Sequence, residues 1–396
     1  MSTSPRFPKL AEPLEVGSVL LKNRVVMSSL TRNRSRPTNV LTEASELYYE
    51  QRSWSLGLIL TEGTLVYQQG TEWPYAPGIW SEEQTQAWKR IVNRVHDRAG
   101  KIYCQLWSVG RVAHPDMPEQ IASKEPVWTS STISARGGKF RNLPGRPGYV
   151  AGKAVPDPRV LVERFVQGAK NAKVAGFDGV EIHAANGYLI TQFLDSTANN
   201  RTDEWGGSVE NRLRFALEVF DGISQVYPPG CIGIKLNPTG GYNDVGMSLE
   251  DTLETYGELI RALVARGTGY IQLVRYLDFF EMIVDGKKRS TNMDVWENFT
   301  PLIRNSNTRI LLNGNITPEE AEQLLESGVG DAVVIGRPLI NNPDYYQRIQ
   351  RGIPLSPLSA TDPKTWYVSS TEPVAKYGNL PDPHIGMTDY PFSVEV

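Results

Sequence analysis

Short apolar runs recur along the chain, each closed by polar or glycine residues. They are Arg24–Leu30, Leu56–Leu60, Lys101–Leu106, Val180–Ile182, Ile232–Leu236, Tyr270–Val274, Arg309–Leu312 and Ala332–Ile335. Runs this short and this apolar predict strands buried on both faces. Between them the period changes to that of helices. One helix follows an N-cap at Thr42, with Ala44, Leu47, Tyr48 and Trp54 as packing positions. Another is capped by Ser81, with Glu82 and Glu83 in its first turn and Lys89 and Arg90 later, as the helix dipole favours. Further helices are expected over Val160–Ala175, from Leu189, from Ser208, from Ser248, near 292–304, and at Thr317-Pro318-Glu319-Glu320, a possible capping box with proline at the first helical position. Eight buried strands alternating with helices predict a single α/β domain, a (β/α)8 TIM barrel. Residues 10–23, two apolar runs broken at Val16-Gly17-Ser18, predict a hairpin across the barrel bottom.

Two stretches depart from the alternation. Residues 108–157 lack a strong helical period and are rich in Pro, Gly, Arg and Ser, which suits either a solvated insertion or a lid over the strand ends. Residues 352–396 are Pro-rich and aromatic, and are expected to wrap the outside or cap the top.

Composition narrows the class without naming a chemistry. The 396 residues are 40% hydrophobic and 21% charged, with a net charge of −3. That balance suggests neither a nucleic-acid partner nor a membrane surface. No run approaches the ~18–20 apolar residues of a membrane span, and the first residues carry no apolar h-region, so a cytoplasmic protein is expected. Cys104 and Cys231 lie in or beside predicted strands and read as core residues rather than a disulfide. No Cys/His cluster has metal-ligand spacing, so no metal is expected.

Polar residues collect just past the strands, where α/β barrels bind ligands. After the fourth run come His183, Asn186 and Tyr188. A neutral imidazole and an amide can donate to one oxygen, and a phenol that stays protonated near pH 7 can protonate a neighbouring carbon. The same residues could instead be a loop histidine, an Asn-Gly turn and a packed helix-start tyrosine. Gly314-Asn315 and Gly336-Arg337 follow runs seven and eight, as a phosphate cradle would or as two tight turns would. Gln105 offers an amide suited to a heterocycle edge. Lys235 offers a cation for a reduced ring or for a strand-end salt bridge. No GxGxxG follows a strand and there is no Walker A loop, so a Rossmann domain is not supported.

The chain resembles the old yellow enzyme family of FMN-dependent ene-reductases over nearly its whole length. The resemblance is carried by SLTRNRS at 29–35, APGIWSEEQ at 76–84, CQLWSVGR at 104–111 and GFDGVEIHAANGYLITQFL at 176–194. It continues through WGGSVENRLRF at 205–215, NGNITPEEA at 313–321 and GRPLINNPD at 336–344. The resemblance implies FMN as cofactor, NADPH or NADH as reductant, and an enal, enone or nitroalkene as substrate. It implies contacts to FMN from Ser29, Leu30, Thr31, Gly63, Gln105, His183 and Lys235, with Gly314, Asn315, Gly336 and Arg337 on its phosphate. Thr31 would hydrogen-bond the flavin C4 carbonyl; some members carry Cys there. His183 and Asn186 would bind the activating oxygen, where other members have a His-His pair, and Tyr188 would donate the proton. Lys235 stands where the family often has Arg, and lacks its planar fork. Trp107, Trp73, Tyr242 and the Trp366-Tyr367 pair would wall the substrate pocket. The lid residues around Arg136–Arg146 would bear on coenzyme choice. Two other readings stay open: the same flavin scaffold acting as a biosynthetic oxidoreductase or isomerase, and a metal-free, non-redox barrel isomerase or lyase whose cradle holds a substrate phosphate. A monomer or a homodimer is expected.

Overall fold

The structure, a computed structural model, describes residues 4–138, 143, 148–361, 365–367 and 383–393. Among these, eight strands run parallel and close on themselves. They are β1 (Val25–Met27), β2 (Leu58–Leu60), β3 (Ile102–Trp107), β4 (Gly179–Ala184), β5 (Ile232–Leu236), β6 (Tyr270–Val274), β7 (Arg309–Asn313) and β8 (Ala332–Ile335). Each pairs with the next, and Ile335 of β8 pairs with Met27 of β1 to complete the ring. The helices that follow the strands in turn are α1 (Glu43–Ser53), α2 (Glu82–Asp97), α3 (Arg159–Ala175), α4 (Val209–Ser224), α5 (Leu249–Ala265), α6 (Val295–Phe299), α7 (Pro318–Glu326) and α8 (Tyr345–Arg351). The expected (β/α)8 barrel is therefore the fold. The hairpin also forms, pairing Leu14–Val16 with Val19–Leu21.

Barrel filling follows from where side chains are missing. A Cβ on Gly179 would lie 2.4 Å from the Tyr103 ring, and one on Gly233 would lie 2.0 Å from the Tyr270 ring. Two strands without side chains thus leave room for two inward tyrosines, whose rings sit 6.0 Å apart and close the lower interior. Polar groups are displaced upward, toward the C-terminal ends of the strands.

The caps differ in detail from expectation. Ser81 and Gln84 form a full capping box on α2. Thr317 accepts from the Glu320 N–H, but Thr42 makes no side-chain cap. The inner face of α1 carries Ser45, Tyr48, Tyr49 and Arg52 beside Ala44, whereas Leu47 and Trp54 are only half-buried. Arg52 earns its interior place through hydrogen bonds: it donates to the carbonyls of Leu339 (2.9 Å), Ile340 (2.7 Å) and Tyr48 (2.9 Å) and lies flat over the Tyr48 ring. An apolar-period search passes over such a residue.

Within 108–157 a six-residue helix, Pro118–Ser123, and a short parallel pair, Trp128–Thr129 with Lys153–Ala154, interrupt the loop. The 139–142 and 144–147 parts of the expected lid, Arg146 included, lie outside the described residues, as do 362–364, 368–382 and 394–396 of the tail. The described tail is tied down by arginines. Arg32 donates to Trp366 and Gly386 carbonyls, Arg34 to Thr365 and Pro383, and Arg348 to Pro391.

Candidate active site

Three polar residues, His183, Asn186 and Tyr188, lie at the end of β4 and in the turn that follows it. The His183 and Tyr188 rings stand edge-on with centroids 5.0 Å apart, and Trp107, at the end of β3, stands edge-on to Tyr188 at the same separation. The Ala185 N–H donates to His183 Nδ1 at 3.4 Å, which assigns the ring proton to Nε2. Burial, then the nearby Lys235 cation, holds His183 well below its ordinary pKa, so it is a neutral N–H donor near pH 7. Asn186 takes a left-handed backbone, φ +60°, and its oxygen accepts from Asn237 Nδ2 at 3.3 Å, leaving its NH2 to donate elsewhere. Asn243 Nδ2 fixes the same turn through the Asn186 carbonyl at 2.9 Å. Tyr188 is held well above the ordinary phenol pKa by burial first, then by Tyr242, Tyr149 and Glu72.

Beneath these lies a polar layer. Gln105 Nε2 donates to Glu181 Oε1 at 2.7 Å, and Tyr270 donates to Glu181 Oε2 at 3.0 Å. Gln105 therefore turns its oxygen away from Glu181. Burial raises the Glu181 carboxyl, against the pull of Lys235. Lys235 is buried and lowered by that burial, and its Nζ has no protein hydrogen bond among the described residues.

Across the same rim, β7 and β8 end side by side. Gly314 has φ +139°, and a Cβ there would lie 2.5 Å from Arg275 Cγ. Arg275 pins the turn by donating to the Gly314 carbonyl at 2.6 Å and the Asn315 carbonyl at 3.3 Å. The N–H groups of Gly314, Asn315 and Gly336 donate to no protein acceptor among the described residues. Arg337 stands beside Gly336 with its guanidinium 5.9 Å from the Trp366 ring. A Cβ on Gly336 would meet only Leu30 and Ser28, at 3.8 and 3.9 Å, which leaves the surface between β8 and β1 open. Ser29, Leu30 and Thr31 continue along it, half-buried, and Gly63 faces the Trp107 ring from the end of β2.

A cavity of about 460 Å³ is formed by the segments that follow β2, β3, β5 and β6, lined in part by Glu72, Arg136, Tyr149, Tyr242 and Phe280. Trp73 packs on Tyr367 of the tail at 5.1 Å. Arg136 is bound to Asp244 through both Nε and Nη2, at 3.0 and 2.7 Å. The fold thus places His183, Asn186, Tyr188, Trp107, Gly63, Gly314, Asn315, Gly336 and Arg337 at or just past the C-terminal ends of the strands. Tyr149, Asn237, Gln272 and Arg275 join them without having been singled out. Asn237 closes the fifth apolar run and carried the same strand-end signal as Gln105; Tyr149 lay in a stretch with no period to place it.

Glu62, next to Gly63, accepts from the Arg32 N–H at 2.9 Å, and burial pushes its carboxyl up to about 7 despite the Arg32 cation. A folded pKa above the unfolded ~4.3 means that the native state holds this proton more tightly. Its stabilising effect is complete below the unfolded value and is lost as pH rises toward 7. Glu62→Gln, which keeps the acceptor, is expected to remove a decline of about 4 kcal/mol over that window. Melting temperature against pH for the two proteins measures it; parallel curves would contradict it.

Residues 9–356 match the model of the NADH:flavin oxidoreductase / NADH oxidase family. The chain is 35% identical to a putative 12-oxophytodienoate reductase 4 of Oryza sativa subsp. japonica, over 97% of this chain and 93% of that one. It is 33% identical to a probable flavin mononucleotide-dependent alkene reductase of Leishmania infantum, over 99% of both chains. The solved old yellow enzyme homologue of Zymomonas mobilis superposes with a TM-score of 0.81 at 34% identity, covering 97% of this chain and 98% of its own.

Proposed function

The chain belongs to the NADH:flavin oxidoreductase / NADH oxidase family and is an FMN-dependent, NAD(P)H-using oxidoreductase of the old yellow enzyme type; on that premise we propose that it reduces the activated C=C bond of α,β-unsaturated aldehydes, ketones or nitroalkenes. The observation that carries this reading is the cluster at the end of β4. A neutral imidazole, an amide with its oxygen anchored and a phenol that keeps its proton face the same rim.

The residues present fit FMN. Unused N–H groups at Gly314, Asn315 and Gly336, with Arg337 beside them, suit its phosphate. The outward oxygen of Gln105 suits an N–H of the ring, and the unpaired ammonium of Lys235 suits negative charge on it. Ser29, Leu30, Thr31 and Gly63 would line the ring between these ends. When bound, FMN supplies the hydride that passes from NAD(P)H to the β-carbon of the alkene.

The protein groups act on the substrate. His183 Nε2–H and the Asn186 amide donate to the activating oxygen, where negative charge grows as hydride arrives. Their donor capacity is fixed in advance, so little reorganisation is needed. Tyr188 O–H then gives its proton to the α-carbon as general acid. Trp107, Trp73, Tyr242 and Tyr367 would hold the substrate's flanks, and the aromatic cavity above suits a substrate larger than a simple cyclic enone. Membership of a flavin-dependent family displaces the reading in which the cradle holds a substrate phosphate.

The test is product analysis with 2-cyclohexenone and a panel of enals and nitroalkenes, with and without NADPH. Saturated products that form only with the reductant support the proposal. Isomerised or oxidised products without it would favour the biosynthetic reading instead.

A further inference from the structure

Gln272 lies in the middle of β6 with no exposed surface, and neither its Oε1 nor its Nε2 has a hydrogen-bond partner among the described residues. Buried side-chain amides are almost always paired, so an unpaired one asks for a ligand. Strand parity gives its direction. Tyr270, two residues earlier, reaches across the barrel interior to Glu181, and alternate residues of a strand share a face. Gln272 therefore points into the barrel, one step nearer the C-terminal rim than Tyr270. In the ladder it stands beside Lys235, which in turn stands beside His183. Its neighbour on the other side, Leu311, cannot pair with it. Below, Glu181 is already held by Gln105 and Tyr270. The amide is thus at the level of two residues that face the cofactor, with a donor and an acceptor unused.

We propose that Gln272 is a further FMN-binding residue, acting beside Lys235, whose side-chain amide is satisfied by the polar atoms of the bound cofactor. This rests on the barrel mouth being the FMN site. The amide supplies both a donor and an acceptor, which matches a ring edge carrying alternating N and C=O groups or a hydroxylated chain. A group that gains its partner only on binding weakens the cofactor-free protein and tightens the complex. That opposite pair of effects separates a cofactor contact from ordinary packing.

The experiment compares wild type with Gln272→Met, the unbranched apolar match in length, and Gln272→Leu. FMN is removed from each, cofactor-free melting is measured, and FMN is titrated back by fluorescence quenching. The midpoint potential of the bound flavin is then determined against a reference dye. The expected result is cofactor-free melting no lower than wild type, FMN bound about tenfold or more weakly, and a shifted potential. FMN affinity within twofold of wild type in both variants would overturn the proposal. So would cofactor-free variants that melt well below wild type, since Gln272 would then serve packing. A wild-type protein that fails to rebind FMN one-to-one would instead overturn the placement of the cofactor site itself.

Discussion

Tyr188→Phe is expected to slow turnover of 2-cyclohexenone by about 10²- to 10⁴-fold, the usual worth of a positioned general acid. NADPH-driven bleaching of the visible flavin band should proceed at close to the wild-type rate. The phenyl ring keeps the edge contacts to Trp107 and His183, each at a 5.0 Å centroid separation, so the loss is confined to one proton. Burial and the neighbouring tyrosines and Glu72 hold the phenol well above its ordinary pKa, so Tyr188 is fully protonated at any working pH. It is a weak acid matched to a basic carbon rather than to water. Stopped-flow measurement of the two half-reactions separates these effects. An unchanged second half-reaction would remove Tyr188 from the role.

Asn186→Gly should lower alkene turnover by about 10²- to 10³-fold, the scale for losing one preorganised donor to a developing oxyanion. Glycine is the right replacement because Asn186 has φ +60°, which a side chain other than Asn or Asp adopts with strain. The turn survives, and only the amide is lost. Asn237 Nδ2 fixes which end of that amide faces inward, so the donor is aimed before substrate arrives. Buried His183 remains as the other donor, and it is neutral, so it cannot replace the missing bond by gaining charge near pH 7. Steady-state kinetics should show the loss in kcat as well as in kcat/KM, because the missing interaction strengthens toward the transition state. A rise in KM alone would mean that Asn186 only helps binding.

The barrel was legible because its strands are apolar on both faces. Ile232–Leu236, Tyr270–Val274 and Ala332–Ile335 have the bounds the pattern predicts. Strand-end polarity was legible for the same reason: His183 and Gly314 lie just past an apolar run, and Gln105 one residue before the end of one. What escaped were polar residues inside the pattern. Gln272 and Glu181 sit within buried strands, where sequence offers no sign of whether a polar side chain pairs with the wall or faces a ligand. Arg52 occupies a core position on α1 because the carbonyls of Leu339 and Ile340 need donors, a demand created by residues far along the chain. Tyr149 comes to Tyr188 from a loop whose path no local period sets. Its hydroxyl reaches Asn243 at 2.9 Å, a contact between segments almost a hundred residues apart.

The central claim is that His183 and Asn186 bind the oxygen of a ligand placed against bound FMN. The most direct measurement is the visible spectrum of the purified protein during titration with 4-hydroxybenzaldehyde, repeated with Asn186→Gly. The account predicts flavin bands in both proteins and, in wild type, a new long-wavelength charge-transfer band that saturates with the phenol and weakens sharply in the variant. Flavin bands that stay unchanged at saturating phenol, or a charge-transfer band equally strong in Asn186→Gly, would contradict it.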